Sequence, residues 1–311
     1  MKLTPRALGC LVVLAISAAG CSKSKPPPID SPGKVRVVAT IFPIADLLRQ
    51  VGGQRVEVSC MLAAGRSPHG YQAKAEHVET LNKANLLFMV GLGVDEWARR
   101  AARTAGSGQV RVVELAKDRD FKGVYDQFAK TYPTTAPHAQ HATDPHVWLD
   151  PVFMQSFLVA AVGELVKADP LHAEDYRTAG LAYLASLQKL DEDYRSTIGL
   201  LKHKHFLTYH PAFTYVARRY GLTQFALDEI GLGAISPEHL EKVLKFLKEH
   251  QVKAIFVEPQ FPAERIESLA KQTGASVGRL DPLGNPDRKG YDSYLAMMRS
   301  NLLALQGALG D

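Results

Sequence analysis

From Lys34 onward, short β-branched runs alternate with amphipathic segments, the pattern of a parallel α/β sheet. Val35–Ala39, Val56–Leu62, Leu86–Val90 and Val110–Leu115 read as strands. Ile41–Val51, Ala73–Lys83 and Val94–Thr104 read as helices between them, the first stopped by Gly52-Gly53 and the third followed by Gly106. An irregular stretch from Ala116 to Asp144 delays the next helix, which takes Asp150 as N-cap and Pro151 in its first turn and ends near Lys167. The segment from His172 to Lys202 is rich in Ala, Leu, Glu, Gln and Lys, with Tyr176, Tyr183, Leu187, Leu190 and Tyr194 at helical spacing. A helix of about 30 residues would be about 45 Å long and suits a rigid strut. The second half repeats the alternation. Phe206–Tyr209, Thr223–Leu227, Val252–Glu258 and Ser276–Leu280 read as strands; Ala212–Tyr220, Ser236–His250, Ala263–Gln272 and Tyr291–Leu305 read as helices. Each half offers about four βα units, so the expected fold class is α/β with two lobes and a long helix between them.

The chain has 311 residues, more than one hydrophobic core usually organises, in keeping with two lobes. A composition of 46% hydrophobic and 22% charged residues excludes a polytopic membrane protein and a disordered scaffold. The net charge of +5 is mild, and no basic run is interleaved with aromatics, so nucleic acid is not an expected partner.

The amino terminus bears on the compartment. Lys2 and Arg6 precede an apolar stretch from Ala7 to Ala18, shorter than the roughly 20 residues that span a bilayer. Ala18-Ala19-Gly20-Cys21 follows, giving residues 1–20 the form of a secretory signal peptide. This junction resembles the bacterial lipobox, in which the cysteine becomes the lipidated mature terminus, here Cys21; an ordinary cleaved signal is the alternative. Residues 21–33, with Pro26-Pro27-Pro28, form a polar, stiffened tether. Cys10 leaves with the signal and Cys21 is acylated on this reading, so Cys60 stands alone, a buried and inert thiol with no disulfide partner. The lobes are expected over 34–170 and 204–311, with the connecting helix at 171–203.

The chemistry lies among the eleven histidines. His77, His172, His239 and His250 sit on helices among polar neighbours and read as solvated surface. His203 and His205, beside Lys202 and Lys204, place positive charge at the carboxyl end of the long helix, where the dipole favours it. His69, His146, His210 and Asp281 are different. His69 lies just past a strand in Ser67-Pro68-His69-Gly70, and His146 precedes a helix in Asp144-Pro145-His146-Val147-Trp148. His210 and Asp281 end strands in Tyr209-His210-Pro211 and Leu280-Asp281-Pro282. Each has a proline beside it, which stiffens the presenting loop. Open α/β sheets place ligand groups at the carboxyl ends of their strands, so all four side chains can meet in a cleft between lobes. Three imidazoles and a carboxylate suit tetrahedral Zn²⁺. The long separations match no short metal motif, and four independent structural residues fit the spacing as well.

Several stretches together resemble the zinc- and manganese-specific solute-binding lipoproteins of bacterial ABC importers. They are Pro68-His69, Asp144-Pro145-His146-Val147-Trp148-Leu149-Asp150-Pro151, His210-Pro211-Ala212-Phe213, Val257-Glu258-Pro259-Gln260-Phe261 and Leu280-Asp281-Pro282-Leu283-Gly284, with the long central helix. The resemblance runs from Cys21 to the end. It implies two Rossmann-like lobes with parallel four-stranded sheets, a rigid connecting helix and one ion in the interlobe cleft, held by His69, His146, His210 and Asp281. It also implies delivery to a permease of the cytoplasmic membrane powered by an ATPase, by a monomer held through its N-terminal lipid in the periplasm or on the outer face of the envelope. Two departures concern His69: Ser67 stands where the family has an acidic residue, and Gln72 occupies the region of a later glutamate. The long histidine-rich loop of zinc-type members is reduced here to His138 and His141, a short accessory metal site or a plain solvated loop. Histidine at position 210 points to zinc as the transported ligand, since imidazole suits zinc whereas carboxylate suits manganese; Mn²⁺ is the alternative cargo. The rival classes are a secreted zinc hydrolase and an adhesin on the same fold. No His-Glu-x-x-His occurs, and Asp281 as a fourth ligand would close the position that a catalytic water needs, so no enzyme activity is expected.

Overall fold

The computed structural model describes residues 33–106, 110–117, 144–228 and 235–310. Cys21, His138, His141 and the expected signal peptide lie outside the described residues. The amino-terminal lobe is built from β1 (Val35–Ala39), α1 (Phe42–Gly52), β2 (Val56–Cys60), α2 (Ala75–Lys83), β3 (Leu86–Met89), α3 (Glu96–Thr104) and β4 (Arg111–Glu114). Then come α4 (Pro151–Ala168) and the long α5 (Ala173–Gly199). The second lobe comprises β5 (His205–Thr208), α6 (Thr214–Tyr220), β6 (Thr223–Ala226), α7 (Pro237–Glu249), β7 (Ala254–Val257), α8 (Glu264–Thr273), β8 (Ser276–Arg279) and α9 (Tyr294–Leu309).

Each lobe holds a four-stranded parallel sheet, ordered β2-β1-β3-β4 in the first and β6-β5-β7-β8 in the second. The two orders are the same, so each sheet reverses direction of growth at its first strand. Parallel strands covered by helices on both faces must be apolar throughout, and the period of two then sends neighbours into different cores. Val37 and Ala39 join one cluster while Val38 joins another. Phe206 and Leu207 divide in the same way. The largest cluster runs through both lobes, from Val37 and Phe88 by way of Phe157, Leu187 and Leu190 to Phe206, Phe256 and Met297.

The 27 residues of α5 span about 40 Å. Tyr176, Gly180, Tyr183, Leu187, Leu190, Tyr194 and Ile198 form its buried stripe, which packs on α1, α4 and α9. The joining helix is therefore also the spine of the shared core. Hydrogen bonds add to this: the Tyr194 hydroxyl of α5 donates to the Met298 carbonyl of α9 at 2.7 Å, and the Tyr294 amide of α9 donates across the lobes to Asp46 of α1 at 2.8 Å.

Local chemistry sets the element ends. Asp150 caps α4, accepting from the Val152 amide at 2.9 Å, with Pro151 in the first turn. Ser236 caps α7 and accepts from the His239 amide at 3.1 Å. The closing helix starts later than expected from Tyr291 because Ser293 caps it, accepting from the Ala296 amide at 3.2 Å. α3 also starts late. Gly91, Leu92 and Gly93 have φ of 89°, 55° and 88°, which swings the chain before Asp95 can start a helix. Asp95 is fully buried and accepts from the Thr40 hydroxyl and the Val90 and Gly91 amides; burial nevertheless raises its pKa to about 6. Cys60 is partly buried, donates to the Leu62 carbonyl and is pushed up to about 11 by burial, so it is an unreactive thiol.

The spine has a tight point. A Cβ at Gly180 would stand 2.8 Å from Val162 Cγ2, which brings α5 close to α4. Gly180→Leu should lower unfolding stability by about 1–3 kcal/mol through overpacking, despite its better helix propensity. Denaturant unfolding checks this, and an unchanged midpoint would show that α4 yields freely.

Candidate metal centre

Local sequence fixes each of three imidazoles before any contact between them. His69 sits in the loop after β2. Its amide donates to Ser67 Oγ at 3.2 Å, and Trp97 Nε1 of α3 donates to the Pro68 carbonyl at 3.2 Å. Ser67, the departure from the acidic residue of the family pattern, thus braces the turn rather than the imidazole. His146 is buried beside the short 3₁₀ turn Val147–Leu149. Asp144 Oδ1 accepts its amide at 3.0 Å and lies 2.8 Å from its Nδ1. An ionised carboxylate can only accept, which puts the proton on Nδ1 and turns the Nε2 lone pair outward.

His210 is buried two residues past β5. Its amide donates to Glu258 Oε1 at 2.9 Å, and its Nδ1 lies 2.6 Å from Glu258 Oε2. The second contact does not meet hydrogen-bond geometry, so it is a close polar contact rather than a hydrogen bond. Glu258 follows β7 and is itself buried. β5 and β7 are neighbours at the reversal of strand order, so His210 and Glu258 occupy the place where such sheets hold ligands. Phe261 packs against the His210 ring, 4.8 Å between centroids.

The three rings form a near-equilateral triangle, with centroids 5.1, 5.1 and 5.7 Å apart. One ring nitrogen from each lies within 4.8 Å of the others, and the Nε2 atoms of His69 and His146 are 3.0 Å apart. Zn–N bonds of 2.0–2.1 Å in a tetrahedron set nitrogen separations of about 3.3 Å, so the His69–His146 pair is already within a few tenths of an ångström of the spacing an ion needs. Among the described residues this is the group of three or more candidate ligands that could hold a metal ion.

Asp281 is buried past β8 but is not a member of that group. Its Oδ1 accepts from the Leu283 and Gly284 amides at 3.0 and 2.9 Å and from Gln260 Nε2 at 3.2 Å. Asn301 holds its backbone at both ends, through Nδ2 to its carbonyl and Oδ1 from its amide.

Sequence reasoning quoted Asp144 and Glu258 inside motifs without giving them a role. The usable signal was an acidic residue one proline away from a ligand or at a strand end. His239 is a correction. It is buried, not solvated, with Nε2 2.9 Å from the Ala226 carbonyl and its ring stacked on Phe225. Its helix turns that residue inward because Val243, Phe246 and Leu247 share the same buried face.

A protein-family model described as zinc-uptake complex component A, periplasmic, matches residues 37–308. The chain belongs to this family. Among curated relatives, it is 28% identical over 305 residues to the high-affinity zinc uptake system protein ZnuA of Bacillus subtilis, covering 95% of this chain and 94% of that one. It is 32% identical to a putative metal-binding protein of Treponema pallidum, covering 94% of each. Among solved structures, the laminin-binding protein of Streptococcus agalactiae superposes with a TM-score of 0.75 at 28% identity, over 88% of this chain and 99% of that one. That protein is described as bifunctional, with adhesin and metal-transporting activity.

The buried carboxylate behind His210 generates a test. Glu258→Gln keeps an acceptor for the His210 amide and removes the charge beside Nδ1. Affinity for a divalent metal should fall by about 10–100-fold, read by competitive titration with a chromogenic chelator. Unchanged affinity would assign Glu258 to folding alone.

Proposed function

We propose that His69, His146 and His210, joined by Asp281, capture Zn²⁺ outside the cytoplasm for hand-over to the permease of an ATP-driven importer. The observation that carries this reading is the convergence of three imidazole nitrogens from distant parts of the chain, with buried carboxylates behind two of them. Zinc is cargo here. His146 offers Nε2 because Asp144 fixes its tautomer, and His210 is oriented by Glu258. Asp281 already has Oδ1 committed to three donors, so a metal bond would use Oδ2. Three neutral nitrogens favour zinc over the harder manganese. A fourth protein ligand leaves no position for a reactive water, in keeping with binding rather than hydrolysis.

Membership of the zinc-uptake family supports an importer as partner. The anchored form rests on Cys21: acylation there and a tether over 21–33 would hold a monomer close to its permease. Labelling with a fatty-acid analogue should mark the full-length protein and not Cys21→Ser; equal labelling of both would rule out the anchor.

The decisive experiment is metal analysis followed by competitive titration of zinc against manganese on the folded, metal-stripped protein. One equivalent of zinc should bind and manganese should not displace it. His210→Ala should weaken zinc by orders of magnitude while the circular dichroism spectrum stays that of the parent. Affinity should also fall on acidification, because protons compete with the metal for imidazole nitrogens. Full affinity in His210→Ala would end the assignment.

A further inference from the structure

At the opposite end of the second lobe lies a cavity of about 150 Å³, lined by Lys202, His203, Lys204, His205, His250 and Gln251. It opens at the amino end of β5, where His205 is the first residue, whereas His210 lies past the strand's carboxyl end. Five residues of extended chain separate the two by about 15 Å, so the cavity is not part of the metal centre. Among the described residues, no carboxylate lines it. Two lysines and three histidines do, and the nearest acid along the chain, Glu249, has its Oε1 3.7 Å from Lys245 Nζ.

The rings of His205 and His250 stack with centroids 4.2 Å apart and planes 17° from parallel. Ring lone pairs lie in the ring plane. In a near-parallel stack they run side by side instead of converging, so the pair does not form a chelate. The same stack places two N–H edges side by side, which suits an acceptor with several oxygens. Like charge between the rings opposes protonating both, and burial together with His250 lowers the pKa of His205. A bound anion removes that opposition. Lys204 Nζ donates to the Ile198 carbonyl at 2.6 Å, which fixes the ammonium at the rim with donors to spare.

We propose that this cavity binds a phosphate-type oxyanion, held by the stacked imidazoles of His205 and His250 and by the ammonium groups of Lys202 and Lys204. The groups that set its charge are those four with His203, and, flanking on α7, Lys248 and the paired Lys245 and Glu249. The same chemistry can come from free phosphate or from the headgroup of an anionic lipid.

The test follows the histidine side-chain signals of the intact protein by NMR at about pH 6, near the ordinary imidazole midpoint. Inorganic phosphate, matched for ionic strength with chloride, is titrated in one arm, and phosphatidylglycerol vesicles in another. His250→Gln, an exposed substitution, is run in parallel with zinc affinity as its control. Saturable shifts of His205 and His250 with phosphate, weakened about tenfold or more in His250→Gln while zinc affinity holds, are the expected result. Shifts with vesicles but not phosphate, equally lost in the variant, assign the site to a lipid headgroup. No saturable response in either arm, or an equal response in His250→Gln, overturns the proposal, as does a response to zinc at these histidines in place of the anions. Because the readout is remote from the cleft, loss of zinc binding with this response intact would count against the cargo assignment alone.

Discussion

Three ring nitrogens aimed at one point are an arrangement that a protein must enforce. Imidazoles are well solvated and hydrogen-bond readily to water, so gathering three of them in a partly buried cleft needs their backbones and far edges to be held. Asp144 and Glu258 do the enforcing for two of them. Asp144 receives both the backbone amide and the remote ring nitrogen of His146, while Glu258 receives the His210 amide and lies against its Nδ1; both carboxylates are buried. At His146 the coupling fixes where the ring points as well as which nitrogen keeps its proton. The prolines at 145, 211 and 259 stiffen the backbone at each of these residues.

The frame behind the site is rigid by construction. A single apolar cluster crosses both lobes, and α5 contributes to it along its whole length. Around the cleft, Arg219 Nε meets Asp150 at 2.5 Å, and burial raises the Asp150 pKa to about 6 despite that cation. A buried pair of this kind costs desolvation, so its worth lies in registration of the lobes more than in net stability.

Much of the fold was legible because buried parallel strands leave continuous apolar runs that few other structures need. Val35–Ala39 is the plain case, and its limits hold to the residue. Caps were readable only in part where the side chain does the capping, at Asp150 but not at Ser293. They were not where backbone conformation decides: no local signal in Gly91-Leu92-Gly93 gives the start of α3. The three histidines stood out through proline neighbours and strand ends, but their mutual distances depend on how two sheets face each other, which periodicity does not encode. His239 shows the converse. Polar neighbours in sequence suggested a wet face, while the helix phase set by Val243 and Phe246 buried it.

Trp148 has a mechanical consequence for the cleft. Its indole Nε1 donates to the Pro282 carbonyl at 2.7 Å, and its own carbonyl accepts from the Tyr294 hydroxyl at 2.8 Å. Tyr215, also of the second lobe, donates to the Asp144 carbonyl at 2.9 Å. The short stretch carrying His146 precedes α4 in the chain yet is fastened to the second lobe from three directions. If the halves were ever prised apart, His146 and His210 would travel together and His69 apart from them, carried by the loop after β2.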